Sequence, residues 1–105
     1  MRQPTDWYAA YAWWRRASKD SSVPRHDGEP QPGYYVRRYV KGGPLVPVRI
    51  WIEQEIDPET GELASDEILR AEELGKPVDP YRAWLSLRPV PRSEYDALID
   101  SHHTN

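Results

Sequence analysis

A chain of 105 residues and 12.3 kDa has room for one domain. Its apolar fraction of 38% is low against 30% charged residues, and twelve aromatics (five Trp, seven Tyr, no Phe) must supply much of the buried area. The absence of cysteine excludes disulfides and thiolate metal sites. The first residues contain no apolar leader core, and no run approaches the roughly 18 apolar residues of a membrane span, so a soluble, cytoplasmic protein is expected. The net charge of −3 conceals an asymmetry. Residues 1–51 carry nine Lys/Arg against four Asp/Glu (+5), and residues 52–105 carry five against thirteen (−8).

The first predicted element is a helix from Asp6 to about Lys19. Asp6 supplies a cap, Trp7, Tyr11 and Trp14 recur at i, i+4 and i+7 as an aromatic face, and Arg15, Arg16 and Lys19 fall in the last turn. Residues 20–33 read as a linker, with Pro24, Gly28, Pro30, Pro32 and Gly33 and no periodicity.

From Tyr34 the period becomes two. Strands are predicted over Tyr34–Lys41 and Val46–Glu53, joined by a Gly42-Gly43-Pro44 turn, with Pro47 marking an edge or a bulge. A turn at Asp57-Pro58-Glu59-Thr60-Gly61 should lead to a third antiparallel segment near Glu62. Residues 66–74 fit either a helix ending at Gly75 or a strand turning at Leu74-Gly75-Lys76 into Pro77-Val78. Asp79-Pro80 should open a short helix to about Leu87. Ser93, with Asp96 three residues on, should cap a last helix, and residues 102–105 should fray. The expected architecture is α+β: residues 1–105 as one domain, with a small curved antiparallel sheet of about three strands, an N-terminal aromatic helix and two short C-terminal helices.

Catalytic chemistry finds no footing in these residues. The three histidines (His26, His102, His103) fall in the linker and the tail, no Gly-x-Ser-x-Gly elbow occurs, and Gly42-Gly43-Pro44 lacks the Lys-Ser/Thr of a phosphate loop. The Asp57–Glu62 run has its glycine one place early for a calcium loop. Glu53/Glu55 and Glu72/Glu73 read as solvated acids. No catalytic residue, metal site or cofactor is therefore expected.

The strand pair carries the one informative pattern. Tyr34, Val36, Arg38 and Val40 are expected to join Val46, Val48, Ile50 and Ile52 on the core face, so that the opposite face presents Tyr35, Arg37, Tyr39, Lys41, Arg49 and Trp51. Alternating rings and cations suit base stacking with phosphate contacts. The same rings could instead receive the aromatic face of the first helix.

The runs Gln31–Trp51 and Val78-Asp79-Pro80 with Arg88–Tyr95 resemble a family of small uncharacterised proteins of bacteriophages and prophages, over roughly residues 31–99. The most specific element is Gly-Gly-Pro-x-Val-Pro-x-Arg-Ile-Trp, residues 42–51. The resemblance implies a protein of a mobile element acting in the bacterial cytoplasm. The expected function is non-enzymatic binding of a host protein or protein–nucleic acid complex, most concretely inhibition of a host defence complex in the manner of anti-CRISPR proteins. Direct single-stranded nucleic-acid binding is the alternative, and the acidic pI of about 5.6 counts against it.

Overall fold

In a computed structural model, residues 3–25 and 28–103 are described. The protein is α+β, but its antiparallel sheet has five strands in the order β4-β3-β2-β1-β5 rather than about three. Helices α1 (Trp7–Ala10) and α2 (Ala12–Ala17) precede β1 (Gly33–Arg37) and β2 (Val46–Glu53). Then come β3 (Ile68–Glu73), β4 (Lys76–Val78), α3 (Pro80–Ala83), a 3-10 turn Trp84–Ser86, β5 (Arg88–Pro89) and α4 (Arg92–His103).

Side-chain oxygens cap the starts of α1 and α3, where they satisfy free amides. Asp6 Oδ2 accepts from the Ala9 N–H at 3.1 Å, and Asp79 Oδ1 accepts from the Tyr81 N–H at 2.9 Å, with Pro80 in the first turn. The single helix expected over 6–19 is broken at Tyr11, whose backbone (φ −93°, ψ 6°) separates α1 from α2. The last helix begins at Arg92, one residue before the expected Ser93 cap, and continues to His103 instead of fraying at 102. His26 and residues 104–105, expected in linker and tail, lie outside the described residues.

Residues 66–74 resolve as the strand alternative. Leu74 (φ 52°) and Gly75 (φ 82°) form the tight turn that folds β4 back on β3. The segment near Glu62 forms only an isolated bridge, Ile56 to Leu63, before β3 begins at Ile68. The first strand ends at Arg37, four residues earlier than expected, and Val40 instead accepts from Gly43 N–H in a turn with Gly42 at φ 76°. Pro47 falls where β3 has already ended opposite Val48, so β2 is an edge on that side, as its missing amide requires.

Register decides the core. Residues directly opposite in an antiparallel ladder share a face, and Tyr35 pairs with Val48, Tyr34 with Arg49. The branched side of β2 therefore joins Tyr35, not Tyr34 and Val36, and the assumed pairing of faces is off by one residue. Both faces are covered. One holds Tyr35, Val48, Ile50 and Ala71 under Trp13, Ala17, Ala83, Trp84 and Leu87. The other buries Val36 with Val90 and Tyr95, with Leu98 and Ile99 packed against them. No helix among the described residues is long and apolar enough to cross a membrane.

Candidate binding groove

The six residues expected to share an aromatic–basic face do not form one. Tyr35 is fully buried, edge-on to Trp84 (ring centroids 5.6 Å apart), and its hydroxyl donates to the Gln31 carbonyl at 2.7 Å. Burial raises the Tyr35 phenol far above its usual pKa. Arg37 lies on the Tyr35 side of the sheet, while Arg49 and Trp51 lie on the other. Tyr39 and Lys41 are exposed beyond the end of β1.

Carboxylates of β3 already hold the two arginines. Arg37 Nε donates to Glu73 at 2.8 Å, Arg37 Nη2 donates to the Tyr39 hydroxyl at 2.9 Å, and that hydroxyl donates to the second Glu73 oxygen. Arg49 Nε donates to Glu72 at 2.6 Å, and its guanidinium sits 4.5 Å from the Trp51 ring centroid. Burial works against both guanidinium charges, but the hydrogen bonds and charges of Glu73 and Glu72 outweigh it and raise both arginines' pKa values. Much of the charge asymmetry is thus spent across the sheet, where basic β1 and β2 meet acidic β3.

An aromatic–basic surface does exist, at the Gly33 end of β1. Trp7 stacks on Tyr11 (6.0 Å), Tyr11 meets Trp14 edge-on (6.1 Å), and Trp14 meets Tyr34 edge-on (5.1 Å). Tyr34 in turn stands edge-on to Tyr95 of α4 at 5.0 Å. Trp7, Tyr11, Trp14 and Tyr34, with Tyr8, Arg15 and Arg92, line an open groove of about 470 Å³. Trp7 is 51% and Tyr8 73% exposed.

The two indoles of the groove are fixed by their polar ends. Trp14 Nε1–H is shared between the carbonyls of Tyr34 (2.9 Å) and Val90 (3.0 Å), joining α2, β1 and the segment between β5 and α4. Trp7 Nε1–H donates to Gln54 Oε1 at 3.0 Å. Gly33 makes this approach possible, because a Cβ there would overlap the Trp14 side chain. The Arg15 guanidinium lies 3.6 Å from the Tyr8 ring centroid and that of Arg92 5.2 Å from Tyr34. Burial raises the Tyr11 phenol as well.

The aromatic face read from Trp7, Tyr11 and Trp14 is therefore real, but its partner is Tyr34 rather than Tyr35, Tyr39 and Trp51. Trp13, outside that face, is the helix ring that enters the core, 5.4 Å from Trp84. Tyr8 with Arg15 was detectable as a helical i, i+7 pair; Tyr34 and Arg92 depended on strand register and on the path of the chain into α4. No protein-family model, no curated protein and no solved structure matches the chain. What fold and groove define is an α+β protein with a rigid, partly exposed aromatic–basic surface.

Proposed function

We propose that this chain is a non-enzymatic binding protein that engages a protein partner through the groove between α1–α2, Tyr34 and Arg92. One observation carries the reading: every described residue lining the groove is Trp, Tyr or Arg. These are the three residue types in which interface hot spots are most enriched, since they combine large apolar contact with a polar or charged end. Trp7 and Trp14 are already held in place, so binding them costs little ordering entropy. Taken with the resemblance to small phage and prophage proteins, the concrete form is an inhibitor of a host defence complex of the anti-CRISPR type, acting in the bacterial cytoplasm.

Expression in a bacterium with active CRISPR immunity tests this form. The intact protein should restore phage plating, and Trp7→Ala and Arg15→Ala should abolish that while their urea unfolding midpoints stay near wild type. Plating that never recovers rejects the inhibitor, and variants as active as wild type reject the groove.

A second reading, single-stranded nucleic-acid binding, draws on the same rings stacked beside cations, where each stacked base contributes about 1–3 kcal/mol. Among the described residues only two cations line the groove, and Arg92 already sits 3.8 Å from Asp96. Oligonucleotide titration at about 50 and 200 mM salt separates the readings, because phosphate-driven binding collapses over that range.

A further inference from the structure

A second cavity, of about 440 Å³, lies on the opposite side of α2 between its C-terminal end, the 18–25 loop and β5. Its walls include Lys19, Arg25 and Arg88, with apolar surface from Trp13, Val23 and Pro89. Among the described residues none of these three cations forms an ion pair, whereas Arg37, Arg49, Arg70, Arg82 and Arg92 each face a carboxylate. The one acid among the described wall residues, Asp20, turns back on its own loop, where Oδ1 accepts from both the N–H (2.9 Å) and the hydroxyl (2.6 Å) of Ser22. Among the described residues the lining thus carries three positive charges against one negative charge, in a protein whose net charge is −3.

Arg25 is held rigidly. Its Nη1 donates to the Trp84 carbonyl at 3.0 Å, and its guanidinium stands 4.9 Å from the ring centroid of the fully buried Trp84. The loop that carries it is fixed by Trp13 Nε1–H, which donates to the Pro24 carbonyl at 2.8 Å. Arg88 is placed by pairing with Val36 of β1. One bond to a carbonyl leaves other guanidinium N–H groups of Arg25 free to donate. A cation positioned in advance, Arg25, beside two exposed cations that lack carboxylate partners suits an anion with several acceptor oxygens. The cavity volume falls at the small end of the range of about 300–1,000 Å³ usual for small-molecule sites.

We infer that this cavity is a binding site for the phosphate group of a small molecule, gripped by Arg25, Lys19 and Arg88. The inference is independent of the aromatic groove and survives its failure.

The test is calorimetric titration of the full chain with inorganic phosphate, adenosine monophosphate and adenosine, all at one ionic strength so that screening is constant. Inorganic phosphate should saturate with a Kd of about 1 mM or tighter. The monophosphate should bind at least as well, and adenosine should give no saturable heat. Lys19→Gln, an exposed change that leaves the core untouched, and Arg25→Gln should each weaken phosphate binding about 10-fold or more, the loss of one charge-assisted hydrogen bond. Arg15→Gln, in the groove, should leave it unchanged. Should Arg25→Gln unfold, Lys19→Gln and Arg88→Gln decide the matter. Three results overturn the site: no saturation by either phosphate compound, adenosine binding as tightly as its monophosphate, or Lys19→Gln and Arg88→Gln both binding like wild type.

Discussion

Replacing Gly33 by alanine tests how the first helices are attached to the sheet. Gly33 lies in a strand but at φ 159°, at the edge of what an L residue adopts, and space is the larger obstacle. A Cβ built there stands 2.6 Å from the Cβ of Trp14 and closer still to its ring. A rotamer change at Trp14 can move the ring but not its Cβ, so the clash is relieved only by shifting α2 away from β1. That shift strains the two hydrogen bonds from Trp14 Nε1–H to the carbonyls of Tyr34 and Val90. Overpacking of this kind costs about 1–3 kcal/mol. For a domain near this size each kcal/mol lowers Tm by roughly 4–8 °C. Urea unfolding followed by tryptophan fluorescence should show a lower midpoint with an unchanged slope, because the surface exposed on unfolding is the same. Near-UV circular dichroism of the native state should change too, since the Trp14–Tyr34 contact moves. A Gly33→Ala protein within about 0.5 kcal/mol of wild type, with an unaltered near-UV spectrum, would refute the close packing of α2 on β1.

Two further outcomes follow from the ion pairs and the buried phenols. Arg37 and Glu73 have side chains only 14% and 15% exposed, so Glu73→Gln, which weakens the bonds to both Arg37 and Tyr39, should cost about 1–3 kcal/mol in urea unfolding. Glu53→Gln, in a pair more than half exposed, should cost about 0–1 kcal/mol, and equal losses would show that the Glu73 network contributes nothing special. Burial raises the phenols of Tyr35, Tyr11 and Tyr95 above the ordinary value of 10.0. The folded state then keeps protons that the unfolded chain releases, so stability is fully present below about pH 10 and falls as pH rises beyond it. Tyr35→Phe should shallow that alkaline decline of the unfolding midpoint, and an unchanged pH slope would remove Tyr35 as its main source.

Local chemistry was legible from the chain alone wherever a few neighbouring residues decide it. The caps at Asp6 and Asp79, the turn glycines at 42 and 75, β2 and the aromatic face of the first helices all follow from side chains within about one turn or one strand of each other. The α+β class followed from the change of period between those segments. Residues 66–74 stayed open because Glu, Leu and Ala favour a helix locally, and only pairing of Ile68–Glu73 with β2, with Glu72 and Glu73 bonded to Arg49 and Arg37, makes the strand the better state.

The surface face of β1 was decided at a longer range. A two-residue period says that Tyr34 and Tyr35 point to opposite sides but not which side meets Val48. Strand register settles that, and one step of register sends Tyr35 to the core and Tyr34 to the groove. Of the residues first grouped as a binding face, Tyr35 is therefore core, and Arg37 and Arg49 are bound by carboxylates 36 and 23 positions away in the chain. The groove itself joins residues from 7 to 92, and the cationic cavity residues from 13 to 89. Composition determined that this chain would carry aromatic and basic surface. Only the folded chain determined which cations were neutralised by its acidic half and which were left exposed, because electrostatic pairing depends on distance in space, and the strand pairings that set those distances are not local in sequence.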